Sequence, residues 1–310
     1  MTKKGKIWMI LFLAMTLGVL FQTAPECQAR VYSGKCKSNM TWYYNTKTKT
    51  ITIDCKGEMP DDIQYRGLSL DWREYSGETK RVVFRKGITS IGFGVFENFY
   101  KLEEVVLPEG LRKIKTWAFR GCSRLRKINF PSSLKKIGEE VFQCTKIEKV
   151  SIKGLKKIGA GSFESAQIKE AYISKDVKVG SFLFSDCKTL KKVTFEKGVK
   201  KISDSMFFKA GLQKVTIPSS VEEIEDDVFW AFSQEEATLK KVTIRSKKIK
   251  KWGKDIFGGA HKDLVIYVPQ EKKEEYTKAL LDGGLPDYVK VVGKTWGKKK
   301  KAAKNRGVTR

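Results

Sequence analysis

A bulky apolar residue stands five positions before a phenylalanine eight times in this chain, always in the same frame. The phenylalanines are Phe96, Phe119, Phe142, Phe163, Phe184, Phe207, Phe229 and Phe257, and their partners are Ile91, Ile114, Ile137, Ile158, Val179, Ile202, Ile224 and Trp252. Successive phenylalanines lie 23, 23, 21, 21, 23, 22 and 28 residues apart. A period in the twenties points to a solenoid, because so short a unit buries its apolar face only when a neighbouring unit covers it. Each unit holds a strand such as Val105-Val106-Leu107, Val193-Thr194-Phe195 or Val215-Thr216-Ile217. A turn follows, with Pro108-Glu109-Gly110, Pro131-Ser132-Ser133 and Pro218-Ser219-Ser220 as the clearest examples. The short Ile-Gly-type segment and the phenylalanine come next, and Leu102, Leu125, Ile147, Ile168, Leu190, Leu212, Leu239 and Leu264 close the units. The expected fold is a β-rich solenoid of about eight repeats over residues 80–268, with parallel stacked short strands about 4.8 Å apart and the phenylalanines stacked inside.

The flanks break the frame. Lys3, Lys4 and Lys6 precede an apolar run from Ile7 to Phe21, and Cys27-Gln28-Ala29 offers a small residue for cleavage, so residues 1–29 read as a secretory signal peptide. The run is shorter than the roughly 20 residues of a spanning helix, and no second apolar stretch follows. No membrane span is expected once the signal is removed. Residues 30–79 read as an N-terminal cap built on a β-hairpin, with Thr41-Trp42-Tyr43-Tyr44 and Thr50-Ile51-Thr52-Ile53 as its strands. Residues 269–293 read as a small α/β C-terminal cap. Its helix runs from Glu271 to Leu281 with Tyr276, Leu280 and Leu281 on one face, and its strand is Tyr288-Val289-Lys290-Val291-Val292. Residues 294–310, with Lys298 to Lys301 in a row, read as a basic disordered tail.

An exported chain permits disulfides. Cys36 and Cys55 flank the hairpin and are the candidate pair. Cys122, Cys144 and Cys187 fall two or three residues after a frame phenylalanine, which predicts small inward-facing packing residues rather than metal ligands. A Cys122–Cys144 bridge between neighbouring turns is the lesser alternative.

The repeat, written Ile-Gly-x-x-x-Phe-x-x-Cys-x-x-Leu-x-x-Val-x-Ile-Pro, resembles that of the BspA-like leucine-rich-repeat surface proteins. Ile114–Pro131 (with Ala118-Phe119, Cys122, Leu125, Ile128 and Phe130) and Ile137–Ile152 carry it best. Similar features are Met40-Thr41-Trp42, Gly57-Glu58-Met59-Pro60, and Trp72 with Tyr75 before the first repeat strand. Ile266-Tyr267-Val268-Pro269 before Tyr276-Thr277-Lys278-Ala279-Leu280-Leu281 resembles the family's terminators. The resemblance covers residues 36–293. It implies a leucine-rich-repeat solenoid in an exported bacterial protein, secreted or cell-surface associated, that serves adhesion or protein binding without catalysis or cofactor. The chain carries no wall-binding repeat or sorting motif, so covalent wall anchoring is not expected.

Two surfaces remain once inward positions are set aside. The net charge of +27 combines 62 Lys and Arg with 35 Asp and Glu, and the excess persists outside the two ends, which favours anionic partners. On the first strand of each unit an outward column reads Glu104, Lys127, Lys149, Glu170, Lys192, Lys214 and Lys241, and beside it lie Val106, Asn129, Ser151, Tyr172, Thr194, Thr216 and Thr243. Lys127, Lys149, Tyr172, Lys192, Lys214 and Lys241 are the candidate basic site. Their partner would be an anionic polymer such as teichoic acid, an acidic glycan, extracellular nucleic acid or an acidic protein. Solubility of a long sheet is the simpler explanation of the same lysines. A second basic row, Arg112-Lys113, Lys135-Lys136, Lys156-Lys157, Lys200-Lys201 and Lys250-Lys251, precedes the isoleucine position.

The other surface is aromatic. The position two before the frame phenylalanine and the position one after it are polar or glycine in most copies, but Trp117 and Phe182 break the first series and Phe208 and Trp230 the second. Phe232 belongs to an insertion, Trp230 to Glu236, that lengthens the seventh repeat. These five aromatics either form an exposed patch for a protein or glycan ligand or are covered by the insertion. Catalysis has no support: His261 is the sole histidine, and metal-binding, nucleophile-elbow and phosphate-loop motifs do not occur. No metal or cofactor is expected.

Overall fold

A computed structural model describes residues 30–35, 40–62 and 70–296. The proposed signal peptide, Cys36 and residues 297–310 lie outside the described residues, so the Cys36–Cys55 pairing does too. The chain is a parallel β-solenoid of about nine turns. The first strand of each unit aligns with its equivalents on one face. Arg81–Phe84, Glu104–Val106 and Lys127–Ile128 pair in parallel, and so do Lys149–Ser151, Glu170–Ile173 and Lys192–Phe195. Lys214–Ile217, Lys241–Ile244 and Val265–Pro269 continue the face. A second face carries two-residue strands: Lys113–Ile114, Lys136–Ile137, Lys157–Ile158 and Lys178–Val179 pair in unbroken order. Lys201–Ile202, Glu223–Ile224 and Lys251–Trp252 form a separate sheet beyond them.

The ladders break at three places, two of which coincide with a change in the length of the connecting turn. Nine residues separate Ile128 from Ile137 and Val193 from Ile202, whereas eight separate Val150 from Ile158 and Ala171 from Val179. At each break one face keeps its pairing and the other gives way. On the first face Lys127–Ile128 does not pair with Lys149–Ser151, nor Lys192–Phe195 with Lys214–Ile217, and on the second Lys178–Val179 does not pair with Lys201–Ile202.

The third face is a stack of turns, and it holds the core. Seven successive pairs of frame phenylalanines stack with centroids 5.4–6.0 Å apart and planes within 14°. The closing leucines and isoleucines are all buried. The turns are themselves joined by a ladder. The amides of Trp117, Phe119 and Gly121 donate to the carbonyls of Glu139, Val141 and Gln143, and the pattern repeats along the solenoid.

At the N-terminal end Met40–Asn45 and Thr50–Cys55 form the expected antiparallel hairpin. The second of these strands pairs in parallel with Arg81–Phe84, and Gly57–Glu58 pairs with Ile88–Ile91, so the parallel stack already includes this region. At the C-terminal end a helix spans Lys273–Asp282 and a strand spans Lys290–Lys294. Tyr276 and Leu280 are buried as expected, but Leu281 is 49% exposed. It lies five residues from Tyr276, off the i, i+4 stripe, and Leu285 fills the space beyond the helix instead. No helix among the described residues is long and apolar enough to cross a membrane.

Candidate functional site

The turn face owes its geometry to backbone conformation that the repeat frame hides. All eight residues two before a frame phenylalanine have positive φ: Gly94, Trp117, Glu140, Gly161, Phe182, Ser205, Asp227 and Asp255. Two residues after it, Asn98, Gly121, Cys144, Ser165, Asp186, Lys209 and Gly259 do the same. Left-handed conformation suits Gly, Asn and Asp, which fill eight of these fifteen positions, and it is uncommon for bulky side chains. Trp117 at φ 60° and Phe182 at φ 58° are therefore outliers on a face where smaller residues fit better. Such strain is a pointer to function.

The same geometry corrects the reading of Cys144. Cys122 and Cys187 sit three residues after their phenylalanines and are buried, with Sγ 3.2 Å from the Phe96 carbonyl oxygen and 3.0 Å from that of Phe163. Burial pushes the Cys187 thiol up to about 12. Cys144 sits two residues after Phe142, on the left-handed position, and is exposed. Thr145 takes the inward place, its hydroxyl donating to the Phe142 carbonyl at 2.9 Å. No disulfide joins Cys122 to Cys144.

The column one residue after the frame phenylalanine changes character along the solenoid. Its first half is a polar ladder. The Arg120 guanidinium lies 3.7 Å from Glu97 and 3.3 Å from Glu140, and its Nε donates to Gln143 at 2.8 Å. The Gln143 amide in turn donates to Glu164 at 2.8 Å. Burial pushes the Glu164 carboxyl above its ordinary range, opposed by the Gln143 bond and helped by Glu140 and Asp186. After the small buried Ser185 the column turns aromatic with Phe208 and Trp230, whose rings stack 4.9 Å apart at 6°. Gly258 completes it as a floor, since a Cβ there would meet Trp230 Cδ1 at 2.2 Å.

Four of the five candidate aromatics come together here. Phe182 packs edge-on against Phe208 at 6.1 Å, and Phe232 stands perpendicular to both Trp230 and Phe208 at 4.9 and 6.1 Å. The Lys209 ammonium lies 4.2 Å above the Phe232 ring. Phe182 remains 39% exposed and Phe232 61%, while Phe208 and Trp230 are half-buried. The insertion therefore extends the aromatic surface instead of covering it. Trp117 lies apart, against Phe93 at 5.1 Å and under Arg120 at 4.9 Å.

The first-face lysines align as read: Glu104 opposes Lys127, Glu170 stands between Lys149 and Lys192, and Lys214 opposes Lys241. Lys127, Lys149, Lys192, Lys214 and Lys241 are exposed, and Tyr172 is half-buried. Acids interrupt this column, with Arg81 to Glu104 at 3.2 Å and Lys149 to Glu170 at 3.7 Å. Lys241 sits over the Tyr267 ring at 5.3 Å. On the second face Lys113, Lys136, Lys157 and Lys178 oppose one another directly and are all exposed. Lys178 was missing from the row read in the sequence, because Val177 replaces the first basic residue of its pair. His261 is a loop residue, its Nδ1 accepting from the Asp263 amide at 2.9 Å. No group of metal-ligating residues occurs among the described residues.

The family described as BspA type leucine rich repeat region matches residues 74–179 and 177–274, in six copies. Among solved structures, a leucine-rich repeat protein from Eubacterium ventriosum is similar with a TM-score of 0.59 and 23% identity, over 78% of this chain and 67% of its own. A leucine-rich repeat protein from Bacteroides ovatus gives a TM-score of 0.55 and 21% identity, over 70% of this chain and 61% of its own. At such identities the likeness is one of fold. No curated protein matches the chain.

Proposed function

Because the chain belongs to the BspA-type leucine-rich-repeat family, whose repeats suggest a binding or adhesion role, we propose that it is an exported, non-catalytic bacterial protein that binds a protein ligand at the cell surface or in the medium. In this reading residues 1–29 direct export, and residues 30–79 and 269–293 cap a rigid solenoid. The observation that carries the proposal is the contiguous cluster of Phe182, Phe208, Trp230 and Phe232 on the turn face. Exposed aromatic anchors on a rigid scaffold are the usual energetic centre of a protein interface, and soluble chains seldom leave such clusters open without use. Two of the four residues sit where the backbone or an insertion makes an aromatic costly or unnecessary for the fold.

The test is capture from envelope and host-matrix extracts by the purified protein, with Trp230→Ala/Phe232→Ala alongside. The wild type is expected to retain a protein partner at high salt, since apolar contact is not screened, and the double variant to lose it. Equal capture by both proteins would remove the aromatic cluster from the reading. Export is checked separately, by N-terminal sequencing of protein recovered from the culture medium and cell surface.

A further inference from the structure

The second β face carries a different kind of site. Lys113, Lys136, Lys157 and Lys178 stand in one cross-strand column, and Arg112, Lys135 and Lys156 flank three of them. Neighbours in such a column are about 4.8 Å apart. None of these four lysines makes an ion pair among the described residues. That absence is local: Lys201 and Lys251 on the same face are held by Glu223, and Lys200 pairs with Glu222. The uncompensated charge thus ends where the ladder breaks, between Lys178–Val179 and Lys201–Ile202.

The break opens a cleft of about 280 Å³. Lys175, Lys178, Lys200 and Lys201 line it together with Ser203 and with apolar side chains that include Val179 and Met206. The Ser203 hydroxyl donates to the Val179 carbonyl at 3.1 Å. The Lys175 stem passes over Gly198, where a Cβ would meet its Cδ at 3.0 Å. The floor beneath the column is apolar but closed, since Ile114, Ile137 and Ile158 are buried.

We infer that this face binds a linear phosphodiester polymer that carries no bases, with its phosphates along the Lys113–Lys178 column, whose last lysine lines the cleft. Lysines offer mobile point charges that suit phosphates spaced along a flexible chain, without the fixed bidentate geometry of arginine. Lysine is depleted from protein interfaces, and the isoleucines beneath the column are buried and offer a protein partner no anchor. A single-stranded nucleic acid would need stacking platforms, and the aromatic cluster lies on the turn face instead. Repulsion between adjacent lysines costs at most about 1 kcal/mol per pair in water, so the empty column is tolerated and a polyanion relieves it.

The experiment titrates the full chain with fluorescent poly(glycerol phosphate) at 50 and 200 mM salt. Wild-type binding should weaken about 50-fold across that range if four phosphates are engaged, and Lys136→Gln/Lys157→Gln should weaken only about sevenfold. The same double variant should lose about tenfold or more in affinity at low salt. Lys127→Gln/Lys192→Gln removes equal charge from the first face and should stay within about twofold of wild type, as should Trp230→Ala. Circular dichroism confirms that each variant is folded. Absence of binding at 50 mM salt overturns the inference. Equal loss in the two lysine variants overturns it as well, because net charge alone would then account for binding. Tighter or equal binding of oligo(dT) or heparin rejects the base-free phosphodiester as the ligand.

Discussion

Trp230 and Phe208, from neighbouring turns of the solenoid, stack in parallel with their ring centroids 4.9 Å apart. The indole is held from its other side by Gly258. This glycine has no left-handed φ to explain it, so its role is space. Gly258→Ala should push the indole off the stack, costing about 1–3 kcal/mol of stability as an overpacking change. Near-UV circular dichroism and a urea titration check it. An unchanged spectrum with unchanged stability would show that the indole does not rest on Gly258.

Phe182 pits strain against contact. Its left-handed φ costs about 1–2 kcal/mol, its packing on Phe208 returns about 0.5–1.5 kcal/mol, and glycine would lose about 0.5–1 kcal/mol in entropy. Phe182→Gly should therefore leave stability within about 1 kcal/mol of wild type while weakening ligand capture. Thermal unfolding measures the first quantity and the capture assay the second. A loss of several kcal/mol would make Phe182 a fold residue.

The fold was legible because its determinants are periodic. Ile91 and Phe96 set a frame that Phe257 still obeys, and inward positions follow from counting. The candidate surfaces were half legible. The aromatic exceptions at Phe182, Phe208 and Trp230 stood out against polar columns, but nothing in the frame separated Trp117 from them in space. The left-handed positions two residues after the frame phenylalanine carry a signal in Asn98, Gly121, Asp186 and Gly259, and Cys144 stands in that outward column, not the inward one. The cleft beside Lys178 lies where the second-face ladder is interrupted, and that interruption appears only when the coils are stacked.

Glu164 supplies a pH test. Burial raises its carboxyl in the folded state, so the folded protein binds this proton more tightly than the unfolded chain. Its charged form is a cost at neutral pH, and that cost falls away as pH drops through the raised folded value, which lies above 4.5. Glu164→Gln keeps an acceptor for the Gln143 amide and cannot ionise. The variant should be more stable than wild type at pH 7, and the difference should shrink on acidification toward pH 4. Urea midpoints across that range decide it. A difference that grows as pH falls has the opposite sign and would refute the assignment.

Phe163 tests how the core transmits stability. Its ring lies between Phe142 at 5.4 Å and Phe184 at 5.8 Å, so Phe163→Ala removes two stacking contacts and opens a cavity. The cost should be about 3–5 kcal/mol. In a compact domain such a loss lowers one cooperative transition, but a solenoid is close to a chain of nearest-neighbour interfaces. Two of those interfaces fail together here, dividing the stack into the coils before Phe142 and those after Phe184. Amide hydrogen exchange should therefore rise most in the turns that carry Phe142, Phe163 and Phe184, while the hairpin strand Thr50–Cys55 and the Lys273–Asp282 helix keep nearly wild-type protection. Uniform acceleration along the chain would instead show that the whole solenoid unfolds as one unit. In that case Phe163 reports global stability, and the phenylalanine stack is a single cooperative column instead of a series of separable contacts.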